Sequence, residues 1–440
     1  MTTQPLALLL LSALIATPAA AQTRAAPWLD SAAAVDSGRP TPGPVYETAG
    51  FSRAVERGTR TRTGRPGPSN WVQHARYRID ASLDVVKARL TGHEQVIYLN
   101  HSPDTLRRVA VYLRQNLFAP GSPRRDPVPI TGGMTLSRVA ASGQVLQPIQ
   151  RTRGRRTAPP PGYRVDGTVM WIQLPHPLLP GDSLPLEFGW SYTPAPSPSD
   201  GREGREDHLF FMGYWYPQLA VYNDVDGWVT DPYLSGAEFY MDPADYDVRI
   251  TLPHGWPVGA TGTLQNPDSV FTRQTRDRLA AARRSRTTVV HLIGPGGQGA
   301  ADALAGKGNV TWHFIAPQVR DFAWGTSDRY AWDAIAAFVP DSARGTVDTV
   351  MINSFFRNNP NAAAWAVGGA RYTRDAIEQM SAYLWPYPYP QMTSMEGVLR
   401  GGGMEYPMMT LMQPWADTLS LAGDLMHETG HMWFPMQVGS

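Results

Sequence analysis

The sequence predicts an α+β protein of more than one domain, and three observations carry that expectation. Apolar and polar residues alternate with a period of two at intervals through residues 69–325. Helical spacing enters after about residue 326, most clearly in the alanine-rich run 361–384. The chain has 440 residues with 42% hydrophobic content, enough to fill two or three separate cores.

The opening 21 residues read as an export signal. Leu6 to Ala16 is an apolar stretch, and Ala19, Ala20 and Ala21 before Gln22 form a small-residue cleavage site. Met1 to Pro5 lack the basic residues that usually precede such a stretch. The chain has no cysteine, which excludes a lipid anchor at that site, a disulfide or a thiolate metal site. No other segment is long and apolar enough to span a bilayer. The expectation is an exported protein, periplasmic or extracellular, without a stable membrane anchor. Residues 22–68 are rich in Ala, Pro, Gly, Arg and Thr and read as a flexible leader.

A β-rich domain is expected over 69–325. Tyr77, Ile79, Ala81 and Leu83 alternate with Arg78, Asp80, Ser82 and Asp84, the mark of a half-buried strand. Similar runs occur at 95–100, 108–113, 169–174, 184–192, 246–252, 287–293 and 310–315. Gly92, Pro180-Gly181 and Gly255 read as turn residues between them. The polar stretches 151–161 and 197–207 read as solvated insertions, and 273–286 as a short basic helix with a solvated face. From 326 to 440 the expected order is a helix at 330–338, a strand at 346–355, a helix at 361–384, and strands at 393–398 and 404–412. A last helix is capped by Asp417 and runs from Thr418 through His431.

Composition narrows the function. The formal net charge is +1, which argues against a nucleic-acid binder. The informative run is His427-Glu428-Thr429-Gly430-His431. Two histidines four apart project from one helix face and can hold one Zn²⁺, while the glutamate between them is placed to take a proton from water on the metal. Just upstream, Gly402, Gly403, Met404 and Glu405 form a candidate substrate-binding run. Glycines let another backbone approach closely, a substrate can pair with the strand edge, and the Glu405 carboxylate can bind a free α-amine. The Met404 side chain reads as core filling, as do Met408, Met409 and Met412. Asp424 is placed either to orient a ligand or simply to face solvent.

Together these motifs resemble the M1 family of zinc aminopeptidases, a gluzincin family whose Gly-x-Met-Glu-Asn motif precedes His-Glu-x-x-His. The resemblance rests on Gly402-Gly403-Met404-Glu405-Tyr406 followed by His427 to His431, with Tyr406 where many members have Asn. It extends to Tyr77–Asn100, Tyr216-Pro217 through Gly227-Trp228, Gly236 to Tyr240 and Asp321 to Trp324. It implies an N-terminal β-sheet saddle domain at 69–325, then the first part of a thermolysin-like α/β zinc-peptidase domain at 326–440. It implies one Zn²⁺ per site and removal of N-terminal residues from peptides with a free N-terminus. His427 and His431 carry over as ligands, Glu428 as base, Glu405 as amine anchor, and Gly402 and Gly403 as substrate-strand glycines. The family's third ligand, a glutamate, falls beyond Ser440, so the chain is expected to be truncated and inactive as written. Two other readings stay open: an M1-like endopeptidase or dipeptidase, and a non-catalytic peptide-binding relative.

Overall fold

The computed structural model describes residues 46–150, 159–238, 240–397, 399 and 402–438. The expected export signal, the leader up to residue 45, and most of the expected loop 151–161 lie outside these residues. Contacts divide the chain after Ala49, and the unit that begins at Gly50 contains every strand and the site.

Period-two alternation becomes strand pairing where the sequence expects it. His74–Asp84 and Arg89–Leu99 pair antiparallel from His74↔Leu99 to Asp84↔Arg89. Tyr77, Ile79, Ala81 and Leu83 are buried, and their polar neighbours face outward. These two strands lie within an eight-stranded sheet ordered Thr263–Leu264, Asn309–Val319, Ala244–Pro253, His74–Asp84, Arg89–Leu99, Ser183–Tyr192, Thr135–Ala141, Gln144–Val145. Gly92 is not a turn residue. It sits mid-strand opposite Trp190, and a Cβ there would lie 2.2 Å from the indole. The glycine makes room for the ring.

A second, six-stranded sheet carries the site. Its order is Val290–Ile293, Tyr330–Asp341, Thr346–Arg357, Gln391–Glu396, Met409–Met412, Gly403–Tyr406. Gly403–Tyr406 is the edge strand, antiparallel to Met409–Met412. The stretch 404–412, expected as one strand, is instead a hairpin that turns at Pro407-Met408, with Met408 at φ 62°. Residues 330–338, expected as a helix, are the start of the strand Tyr330–Asp341. Every residue from Tyr330 to Ala337 is buried. A strand covered on both faces shows no alternation, so its apolar run cannot be told from a buried helix by periodicity.

Two helices pack together beside this sheet. Ala363–Tyr383 and Thr418–Gly430 meet through Ala364, Trp365, Leu421 and Leu425, with Phe356 and Met412 in the same cluster. Leu421 and Leu425 are one turn apart and therefore share a face.

Two expectations about polar segments fail for the same reason. Residues 57–68 are not part of a free leader: Thr59 Oγ1 donates to Asp224 Oδ2 at 2.6 Å, and Arg60 forks onto the same carboxylate at 2.9 to 3.1 Å. The segment 197–207 is not a solvated insertion: Arg202 and Glu203 are 7% and 1% exposed. Their partners, Asp224 for the first segment and Gln115, Glu238 and Met404 for the second, are distant in sequence and leave no periodic mark.

Glu396 closes the strand Gln391–Glu396 with no solvent exposure. Arg357 holds it with Nε to Oε2 at 3.0 Å and Nη2 to Oε1 at 2.8 Å, and the Arg357 amide adds a bond of 2.9 Å. Removing one member of a buried pair strands the other charge, at a cost of about 3–5 kcal/mol. Arg357→Met is therefore expected to lower unfolding free energy by about that amount in urea titrations, and adding Glu396→Gln to recover part of the loss.

Candidate metal centre

The site starts from a helix that is well begun. The Asp417 side chain accepts from the Ser420 amide at 2.8 Å, satisfying one of the free donors at the start of Thr418–Gly430. From there the helical repeat sets Leu421, Leu425, Glu428, Thr429 and Met432 on the buried side. His427 lies on the exposed flank and His431, one turn on, is half-buried beside it. His431 follows the last helical residue but keeps helical geometry, at φ −60° and ψ −17°.

The two imidazoles meet edge to face, with Nε2 atoms 3.1 Å apart. Two nitrogens on a tetrahedral zinc, each at about 2.0–2.1 Å, are separated by about 3.3 Å. The separation of the rings is close to that of two nitrogens on one metal ion. The tautomer of His431 follows from its other nitrogen: Nδ1 lies 2.9 Å from the Phe434 carbonyl, which can only accept. Nδ1 therefore carries the proton and Nε2 presents a lone pair, the usual arrangement of a ligating histidine. Phe434 is itself placed by its neighbour. Trp433 is buried, its Nε1 donates to the Trp385 carbonyl at 2.9 Å, and its ring lies 5.6 Å from that of Tyr387.

Glu428 is 5% exposed and its Oε2 has no hydrogen-bond partner. Burial first, then the carboxylates of Glu405, Asp424 and Glu238, push its pKa up to about 8, against an amide hydrogen bond from Gly403. Glu405 is also buried, with Oε1 lacking a partner. Burial raises its pKa, with Glu238 acting in the same direction, while His431 and Arg202 draw it down. Glu405, Glu428 and His431 offer ligand atoms that lie within 4.8 Å of one another. These two buried carboxylates with spare oxygens and one imidazole form a donor set that suits a divalent cation; His427 is not within that group and joins it only through its approach to His431. A cation here would favour the ionised form of both acids and reverse the effect of burial.

Gly403 makes the approach of Glu428 to the edge strand possible. A Cβ at this position would lie 2.5 Å from Cγ, 2.6 Å from Cδ and 2.8 Å from Oε1 of Glu428. The close approach expected at the glycines is therefore occupied first by the protein's own carboxylate. Gly402 has a different need: its φ of +119° disfavours side chains, although a Cβ there would meet nothing.

Alternation along Gly403–Tyr406 divides the run. Gly403 and Glu405 face the histidine helix, whereas Met404 and Tyr406 face the other way. Met404 is buried against the guanidinium of Arg202, so its side chain belongs to the core and not to the substrate site. Tyr406 donates to the Arg202 carbonyl at 2.8 Å, in space left by Gly213, where a Cβ would meet its hydroxyl. Asp424 does not orient a histidine. Its Oδ2 accepts from Trp415 Nε1 at 2.7 Å.

Sequence reasoning missed Arg202 and Glu238 as parts of this site. Arg202 Nη2 binds Glu238 Oε1 at 3.0 Å, and the largely exposed Glu238 carboxylate bears on both Glu405 and Glu428. No periodicity marks either residue. The nearest signal is the run Gly236 to Tyr240, which the family resemblance already includes.

No protein-family model and no curated protein matches this chain. Solved structures do. A mutant M1 zinc metallopeptidase from Deinococcus radiodurans, bound to a Tyr-Ser-Ala substrate, matches with a TM-score of 0.50 at 16% identity, over 84% of this chain and 65% of that one. The same organism's M1 zinc metallopeptidase without the mutation matches with a TM-score of 0.49 at 17% identity, over the same shares of the two chains. A two-domain M1 zinc metallopeptidase mutant bound to L-tryptophan matches with a TM-score of 0.49 at 16% identity, over 85% of this chain and 68% of that one. The fold is that of the M1 zinc metallopeptidases. The chain spans 65% of the length of the first of these structures.

Gly403→Ala is the sharpest test of the local packing. The added methyl must displace Glu428, so a crystal structure should show the carboxylate moved from the strand, and unfolding free energy should fall by about 1–3 kcal/mol. An unmoved Glu428 in that variant would contradict the packing described.

Proposed function

We propose that this site is the zinc centre of an M1-type aminopeptidase. The observation that carries the reading is the 3.1 Å approach of two imidazole Nε2 atoms beside a buried carboxylate with a partnerless oxygen. Zn²⁺, when bound, supplies a Lewis acid that polarises the scissile carbonyl and makes water acidic near neutral pH. His427 and His431 would hold it, with Nε2 of His431 left free to do so by the bond of its Nδ1 to the Phe434 carbonyl.

Glu428 takes the proton of the attacking water at Oε2 and returns it to the leaving amine. The Gly403 notch keeps that carboxylate in place, and burial keeps its oxygen from being spent on solvent. Gly403–Tyr406 is the last strand of its sheet among the described residues, so an extended peptide can add alongside it by backbone hydrogen bonds. Glu405 then receives the free α-ammonium in a charge-assisted contact, with Glu238 adding negative charge nearby. Binding of Tyr-Ser-Ala by a protein of the same fold is consistent with a peptide in this position.

We further assign the larger sheet to a saddle lobe and the histidine helix to a peptidase lobe from about residue 326, with Val290–Ile293 contributing an edge strand from the preceding segment. Export rests on the segment Leu6 to Ala21 alone. No helix among the described residues is long and apolar enough to cross a membrane.

Three outcomes test this reading. In the active, zinc-loaded protein, Glu428→Gln should lower kcat by about 10²–10⁴ while leaving zinc stoichiometry unchanged. Acetylating the substrate's N-terminus should block hydrolysis, and Glu405→Ala should remove most of the discrimination between free and acetylated peptides. With Glu405 and Glu428 engaged in amine binding and proton transfer, the described residues offer two metal ligands. Residues 1–440 alone should then hold zinc loosely and turn over poorly, and His431→Ala should abolish the remaining binding in equilibrium dialysis. Retention of wild-type zinc affinity by that variant would refute the ligand assignment.

A further inference from the structure

A separate cavity of about 310 Å³ lies where the helix Arg273–Ala282, the larger sheet and the start of Gln391–Glu396 meet. None of the metal-centre residues lines it. Phe271, Trp312, Phe314, Trp332 and Phe355 form much of its wall, with Leu279 from the helix. These rings already stack on one another, Trp332 on Phe355 at 5.1 Å and Phe271 edge-on to Trp312 at 5.4 Å. The chamber is therefore braced from outside and does not depend on collapse to satisfy its walls.

Its polar groups are almost all engaged. Asn353 Oδ1 accepts from Trp332 Nε1 at 3.1 Å. The Gln391 amide donates to the Ala260 and Gly262 carbonyls at 3.0 and 3.1 Å, and its oxygen accepts from Thr393 at 2.8 Å. Arg283 alone among the lining residues carries a charge. Three other arginines of this segment are held elsewhere: Arg276 by Asp268 at 3.0 Å and the Phe271 carbonyl at 2.7 Å, Arg278 by the His291 carbonyl, and Arg286 over the Phe338 ring at 4.0 Å, while the exposed Arg284 does not line the cavity. The Arg283 side chain is exposed and has no ion pair or hydrogen bond among the described residues.

We propose that this cavity binds an amphipathic monocarboxylate, with a saturated apolar tail among the aromatic side chains and the carboxylate paired with Arg283. The chemistry selects against the alternatives. A peptide would bring backbone donors and acceptors into walls that have few free partners, and each unpaired group is costly. A cation would meet Arg283, and a neutral hydrocarbon would leave it unused. The volume sits at the lower end of small-ligand pockets, about 300–1,000 Å³, which fits one medium acyl chain and not a two-chain lipid.

Decanoate titrated into the full chain by isothermal calorimetry tests the proposal, with decanol and decylammonium as head-group controls. The expected result is saturable 1:1 binding of decanoate, weaker binding of decanol and weakest of decylammonium. Arg283→Ala should weaken decanoate by about tenfold or more, the worth of a charged hydrogen bond, and leave decanol unchanged. Ala280→Phe, which fills the chamber, should abolish binding of both, with thermal unfolding used to show that the variant is folded. The proposal is overturned by no binding up to about 1 mM, by decylammonium binding as tightly as decanoate, or by an undiminished affinity in Arg283→Ala. It does not depend on the metal centre, so it is measured without zinc.

Discussion

Two carboxylates in one buried pocket repel each other, and this fold holds them there. Glu405 and Glu428 are each nearly excluded from solvent and each keeps an oxygen without a partner. An arrangement of this kind costs stability unless the acids are protonated or a cation is near. The adjacent imidazole of His431 brings a third donor to the same place. The charge imbalance, more than the histidine spacing alone, distinguishes this centre from a surface pair of histidines.

The rest of the molecule keeps that unfavourable arrangement in register. Gly403 lacks the Cβ that would push Glu428 off the edge strand. Arg202 lies under Met404 on the opposite face and bonds Glu238, joining the segment 197–207 and the Glu238 loop to the site from outside the six-stranded sheet. Trp433 fixes the Phe434 carbonyl, which sets the tautomer of His431. Each contact is short in space and long in sequence, apart from the last. The site is therefore a product of the whole unit and not of the helix alone.

Much of the fold was legible from the sequence. Strands with one wet face announced themselves through alternation, as at Tyr77, Ile79, Ala81 and Leu83. The histidine helix announced its start at Asp417. Local signals failed where both faces are covered, as in Tyr330–Asp341, and where charged side chains meet distant partners, buried in the case of Arg202 and half-exposed in that of Arg60. Gly92 shows a third kind of failure, since a glycine that admits an indole looks the same in one dimension as a glycine in a turn.

The sequence by itself determined which atoms could bind a metal, because a four-residue spacing on a helix fixes the direction of two side chains before any tertiary contact forms. It also determined that Glu428 would stand beside them. Only the tertiary structure decided that Gly403 serves Glu428 and that Arg202 and Glu238 reach the site. Those outcomes depend on which face of a strand meets which neighbour, and residues that meet only after packing leave no periodic trace along the chain.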